Sequence, residues 1–487
     1  MSDAAQAPFT KRDYVATLIT GGIMLLWICL LRFPLLDWDS SRYMSVMHDP
    51  FRRPDTAPTL QYLVFWPFWR ILGPWTYPVI AQVLLLYTTG LASKITLGRV
   101  NTVAILAAFA LSGMHLWANF VLIDVYFTIG LLALFCLAFR RHRPAMLAIL
   151  VYASLAHSAN VLSLAPLAFV ALAYKRQWFS LVTFTAGFVA LFVVIAAATC
   201  ARHGYFTPLS IHGAGNVVGR VMADFPDTVD EYAAAHPGSA FARKKDIFET
   251  QLHAWEKRPD LKARVPAWFP LAPTRWPFIQ SYNAINVCFR GPFPVTQWPK
   301  EGFDKAEQRA YVSHVLRTRP LAFCATMIEN VVLFQLAATV QGHDDWPYNY
   351  AYSKHTNPLK DLVTPYAPGW EHRFSQSLQM RGKDNLALRT VLFPSLFFGI
   401  AFGALQLINT VALARCAVRH RELDAAATLS LLALLACVSQ SFVMANFSSM
   451  HPRYFTTLYF IAAFSGCIAM ARFWASRRDA LQPSEPI

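Results

Sequence analysis

The sequence predicts an all-α, polytopic membrane protein with about ten transmembrane helices. Three observations lead there. Of its 487 residues 55% are hydrophobic, mean hydropathy is +0.34, and the apolar residues gather in blocks of about 15 to 25 bounded by Arg/Lys clusters. A soluble domain seldom exceeds about half apolar, and it lacks such blocks.

The formal charge of +15 raises the question of a nucleic-acid partner, and the positions of the charges exclude it. Lys11/Arg12, Lys94/Arg99, Arg140/Arg141/Arg143, Lys175/Arg176, Arg415/Arg419/Arg421 and Arg472/Arg477/Arg478 all flank apolar segments. That is the positive-inside pattern rather than a basic patch. Putting those clusters in the cytoplasm orders the spans. Residues 14–36 run outward; this run is too long for a cleaved signal and is expected to stay as an anchor. Residues 60–72 are too short to span and carry Trp66, Pro67, Phe68 and Trp69, which suits a helix lying in the outer interface. Residues 74–93 return inward, 101–120 go out, and 125–139 return. The short runs 145–156 and 161–174 form an out-and-back pair, and 179–200 exit again.

From residue 201 to about 388, Pro, Trp, Asp and Lys become frequent and apolar periodicity weakens. This predicts a mixed, largely helical extracytoplasmic domain between an N-terminal membrane module (1–200) and a C-terminal one (389–487), with amphipathic helices at 246–255 and 305–316. The run 320–340 is long enough to span, but Glu329 and Asn330 sit at its centre, and an intramembrane acid is costly. It is expected to be a buried or interfacial helix. Residues 391–414 return inward, 425–445 go out, and 454–471 come back to a basic tail. Both termini are then cytoplasmic.

On this topology every short loop bearing candidate reactive side chains lands on the outer side. The first holds Asp37, Asp39, Arg42, Tyr43, His48 and Asp49. A carboxylate there can act as general base toward an acceptor hydroxyl. Asp39 competes with a second role, since it would N-cap a helix starting at residue 40 and share a face with Tyr43. The next loop holds Asp124, which reads equally as an orienting acid or a helix cap. His157 lies at the turn between two short runs, with Ser158 and Asn160 as local partners. The last outer loop runs His451-Pro452-Arg453-Tyr454. Arg453 can take a phosphate bidentately or snorkel to headgroups, and His451 can assist it or merely cap. The His343-Asp344-Asp345 run could bind a metal but reads more readily as a solvated loop, and the glycosylation-like Asn446-Phe447-Ser448 lies so close to the membrane that it reads as a chance match. There is no phosphate-cradling glycine loop and no zinc spacing among the eight cysteines. A disulfide among Cys200, Cys288 and Cys324 and dependence on a divalent metal both stay open.

An acidic residue just after the first transmembrane helix, a Tyr four residues on, Pro54 and Pro58, and then the aromatic helix with Gln61, Tyr62, Phe65 and Trp66 resemble the C-type (GT-C fold) membrane glycosyltransferases. Asp124 resembles their second acidic loop. His451 to Tyr454 resembles the Arg-Tyr entry to a late helix in relatives that use polyprenyl-phosphate sugars. The resemblance implies Asp39 as base, with Asp37 the alternative, and donor-phosphate contacts from Arg453, His451, Arg42 and His157. Many relatives carry a Lys at the His157 position. It implies substrate contacts from Asp124, Tyr43, His48 and Tyr454. The partners would be a polyprenyl-phosphate sugar donor, a glycan or lipid acceptor and the surrounding membrane lipids, in cell-envelope glycan biosynthesis. The implied setting is a bacterial inner membrane with its active site on the periplasmic or extracellular side. A membrane acyl- or phosphotransferase, a non-catalytic assembly protein and a transporter or flippase are the alternatives. The last would place acids mid-span and show paired repeats, neither of which the sequence shows.

Overall fold

The computed structural model describes residues 8–36, 40–48, 58–119, 124–139, 158–174, 178–203, 212–225, 227–246, 250, 305–340, 362–383, 385, 387–388, 391, 394–419, 423–447 and 454–481. Its regular elements are all helical: α1 (Lys11–Leu31), α2 (Ser40–Val46), α3 (Pro58–Leu72), α4 (Thr76–Leu97), α5 (Thr102–Ser112), α6 (Met114–Trp117), α7 (Tyr126–Phe139), α8 (Ser158–Tyr174), α9 (Trp178–His203), α10 (His212–Asp224), α11 (Thr228–Ala235), α12 (Ala240–Arg243), α13 (Lys305–Thr318), α14 (Pro320–Val340), α15 (Trp370–Ser375), α16 (Leu378–Lys383), α17 (Ser395–Arg419), α18 (Ala425–Phe447) and α19 (Phe455–Leu481).

Among the described residues six helices are long and apolar enough to cross a membrane: Lys11–Leu31, Phe65–Leu97, Pro320–Thr339, Leu396–Val418, Ala425–Phe447 and Phe455–Arg477. Thr102–Ser112, Tyr126–Phe139, Leu162–Ala173 and Ser180–Val194 are shorter apolar helices. This is the architecture of a polytopic helical membrane protein. One of the six, α14, is the run with Glu329 and Asn330 at its centre, and it qualifies by length and apolar composition. Within it Asn330 is buried and bonds Asn446 Oδ1 at 3.1 Å. Polar atoms inside a span are tolerated when another helix satisfies them. The aromatic segment differs in detail from the sequence expectation: α3 passes through a 3-10 turn (Gly73–Trp75) straight into α4, so no loop separates them.

The chain forms two compact units. Unit 1 comprises residues 1–208, 338–439 and 452–487, and unit 2 comprises 209–337 and 440–451. Residues 338–439 fall in unit 1.

In unit 1 side-chain contacts fix the helix directions. α1 opens on a capping box in which Thr10 and Asp13 bond each other's backbone. Asp13 then accepts from Lys94 Nζ and from Val100 N, each at 2.8 Å. The start of α1 is thus tied to the end of α4, and the two run antiparallel. Thr102 Oγ1 donates to Ala16 O at 3.2 Å, and Trp27 packs against His115 with ring centroids 5.3 Å apart; α1 and α5–α6 run parallel. Further along, Asn409 bonds Ala462 O and Ser430 Oγ, Phe402 meets Tyr459, and Cys437 Sγ lies near Leu458 O. α17 and α19 are therefore parallel with α18 between them in sense reversed. Gly399 and Gly403 let α17 close on the end of α14, since a Cβ on Gly399 would stand 2.5 Å from Thr339 O. Small residues at such crossings are what membrane helix packing favours.

Unit 2 has its own apolar core, with Val218, Met222, Phe225, Val229, Tyr232, Phe241, Tyr311 and Val315 buried together. Around it Thr228 bonds Tyr311 Oη at 2.9 Å, Arg220 bonds Asp224 at 2.9 Å, and Arg319 pairs with Asp227 at 2.6 Å and with Glu231.

Candidate functional site

One end of unit 1 gathers the flanks of the loops singled out from the sequence. α1 ends with Arg32 at φ +63°, the one non-glycine residue with positive φ among the described residues. That left-handed cap turns the chain and drops Phe33 into an aromatic seat, 6.0 Å from Trp370, 5.7 Å from Phe374 and 6.4 Å from Trp75 between ring centroids. The two residues after Pro34 are pinned. Leu35 N donates to Asn119 O at 2.9 Å. Leu36 N donates to Gln379 Oε1 at 2.9 Å, and Gln379 Nε2 donates back to Leu36 O at 2.6 Å. Gln379 and Leu36 are each 5% exposed, so this two-point clamp works in a dry setting where hydrogen bonds are strong. It holds the residue immediately before Asp37.

Asn119 is itself fixed. Its Oδ1 accepts from Gln82 Nε2 at 2.8 Å and its Nδ2 donates to His115 O at 2.7 Å. Asn119 lies five positions before Asp124, which is buried at 8% exposure at the entrance to α7. The Leu35–Asn119 bond therefore ties the first acidic loop to the second. Near it, Phe65 bridges Tyr77 and Tyr126 with ring centroids 4.5 and 5.3 Å away, and Tyr77 Oη donates to Tyr43 O at 2.9 Å. Tyr126 Oη, Thr128 Oγ1 and Thr76 Oγ1 are buried and make no hydrogen bond among the described residues.

Asp37, Asp39, Asp49, His157, His451 and Arg453 lie outside the described residues, as does the side chain of Arg42. α2 starts at Ser40, the residue after Asp39 in the sequence. Tyr43 is buried at 3%, and its backbone carbonyl accepts from Tyr77 Oη. His48 is exposed, its ring 6.4 Å from Trp69 and 6.2 Å from Tyr366. Tyr454 is buried at 6% at the start of α19. Phe460, two turns into α19, meets Phe109 near the end of α5 at 4.9 Å, and Phe398 near the start of α17 presses on Gly113. The starts of α17 and α19 thus sit where α5 ends, at the same end as Leu36 and Asn119. No family model, curated protein or solved structure matches this chain.

Sequence reasoning missed Gln379, Asn119, Trp370 and Tyr366. Gln379 acts across 343 positions, and nothing in its local composition distinguishes it from a surface amide. Among the described residues no three His, Cys, Asp or Glu side chains assemble for a metal, and His343, Asp344 and Asp345 fall outside them. Cys200 and Cys324 are free thiols; Cys288 lies outside the described residues. A cavity lies at the opposite, basic end of unit 1.

Proposed function

We propose that this protein is an integral membrane glycosyltransferase, moving a sugar from a polyprenyl-phosphate donor to a glycan, lipid or protein acceptor at the acid-bearing end of unit 1. On this reading Asp39, or Asp37 in its place, removes the acceptor proton as the oxygen attacks the anomeric carbon with inversion. Lipid phosphate leaves, its charge met by Arg453 with His451, Arg42 and His157 as further cations or donors. Asp124, Tyr43, His48 and Tyr454 contact substrate. The membrane would be a bacterial inner membrane and the site extracytoplasmic.

The observation that carries the proposal is the pinning of Leu35 and Leu36 by Asn119 and Gln379. A loop whose only task is to connect two helices has no need of a dry, bidentate clamp one residue before its acid pair. A general base does, because misplacement by about 1 Å costs roughly a hundredfold in rate. The test is transfer of labelled sugar from a synthetic polyprenyl-phosphate donor by purified protein in detergent. Wild type should transfer, and Asp39→Asn should fall by about 10²–10⁴-fold while still inserting and eluting as wild type. Full activity in both Asp39→Asn and Asp37→Asn would remove the reading.

A further inference from the structure

At the basic end of unit 1 the last turns of α17 and α19 and the first turn of α18 enclose a cavity of about 690 Å³. That is within the range of about 300–1,000 Å³ that ordinarily holds a small ligand. Its walls are apolar. Leu407, Val411 and Trp474 line it while 64%, 41% and 67% exposed, and Ala412, Ala427 and Ala469 keep its floor shallow enough to admit a chain. Along α17 the lining runs from Leu407 to Cys416, about 13 Å at 1.5 Å per residue.

The mouth is cationic. Arg415, Arg472 and Ser476 contribute to the lining, and Arg477 stands beside them. Arg472 is answered by Asp424 at 2.6 Å. Arg415 and Arg477 are not answered by any described carboxylate. Instead both guanidinium groups lie against the one ring of Phe473, at 5.5 and 4.8 Å from its centroid. Two like charges gathered on one ring repel each other unless an anion sits between them. Among the described residues the mouth holds three arginines and one aspartate, a formal charge of 3 − 1 = +2.

We propose that this groove binds an anionic phospholipid of the leaflet at the basic end, its phosphate between Arg415 and Arg477 and one acyl chain along Leu407 to Ala412. Charge complementarity selects this occupant. An apolar slot ending in paired guanidinium groups matches a molecule that is a hydrocarbon at one end and a phosphate at the other. Trp474 at the rim is the side chain that membrane interfaces favour. Arg472 is held back from the phosphate by Asp424, a pair that ties the start of α18 to α19.

The test is native mass spectrometry of the full-length protein after incubation with vesicles of equal phosphatidylglycerol and phosphatidylcholine. Wild type should retain phosphatidylglycerol about tenfold more than phosphatidylcholine, and millimolar inorganic phosphate should not displace it. Arg415→Gln with Arg477→Gln should bring the ratio to about one. Ala412→Trp, which fills the slot and leaves the charges in place, should lower retention of both lipids. Equal retention of the two lipids by wild type would overturn the proposal. So would a preference that survives both arginine substitutions, undiminished retention in Ala412→Trp, or displacement by free phosphate.

Discussion

Replacing Gln379 with Leu removes the clamp on Leu36 while nearly conserving volume. Both bonds are lost, leaving the Leu36 N–H and C=O buried opposite a hydrocarbon, since Leu36 is 5% exposed. An unsatisfied buried polar group costs about 1–3 kcal/mol, and the added apolar contact of the new side chain offsets part of that. A local loss of about 2–4 kcal/mol is expected, or roughly 30- to 1,000-fold faster exchange of the Leu36 amide at about 1.4 kcal/mol per tenfold. Hydrogen exchange with mass spectrometry on a peptide spanning 32–36 reads this directly, because local opening need not unfold the bundle. Gln376→Leu is the control, since that side chain is exposed and bonds only His372. Gln379→Glu separates the two bonds. Its ionised carboxylate accepts from Leu36 N–H but cannot donate to Leu36 O, and protonation restores a donor, so protection should rise as pH falls. Exchange in Gln379→Leu within threefold of wild type would refute the clamp.

Three other perturbations act elsewhere in the fold. Lys94→Met strands the Asp13 carboxylate, which is buried with it at the start of α1; a loss of about 3–5 kcal/mol should appear as a lower thermal aggregation midpoint in detergent. Gly73→Ala places a Cβ 2.8 Å from Tyr366 Cβ at a φ of +53°, so the 362–383 segment should loosen and become cut by protease where wild type resists. In unit 2 the Arg319 guanidinium holds the Asp227 carboxyl below its ordinary range. A lowered folded pKa gives stability that is present above the unfolded value near 4 and lost as pH falls through the folded one. Exchange protection over 227–235 should therefore weaken below about pH 4, and in Asp227→Asn that acid dependence should shrink.

Much of the helical order was legible because apolar blocks and basic punctuation are one-dimensional signals. Block length reports a span and flanking Arg or Lys reports a sense. The contacts agree with the senses so inferred: α1 and α5 are parallel with α4 reversed, and α17 and α19 are parallel with α18 reversed. For Pro320–Val340 the sequence shows Asn330 as a polar residue in an apolar run but not the Asn446 that satisfies it 116 positions away. Aromatic content suggested an interfacial helix over residues 60–72, but the sequence did not show that α3 continues into α4 through Gly73–Trp75. The candidate site divides the same way. Its acids stand out in a chain poor in charge, whereas Gln379 and Asn119 gain their roles only from distant partners. The free thiols at Cys200 and Cys324 were likewise beyond what cysteine spacing can decide.

The proposed function requires donor phosphate and acid loops to meet at the Leu36–Asn119 end of unit 1. A photoreactive polyprenyl-phosphate analogue, crosslinked to the full-length protein and mapped by peptide mass spectrometry, tests it most directly. Adducts should concentrate in residues 36–48, 124–128 and 451–459 and be competed by unlabelled polyprenyl phosphate. Competable adducts confined to the basic end, around Arg415 and Arg477, would contradict it.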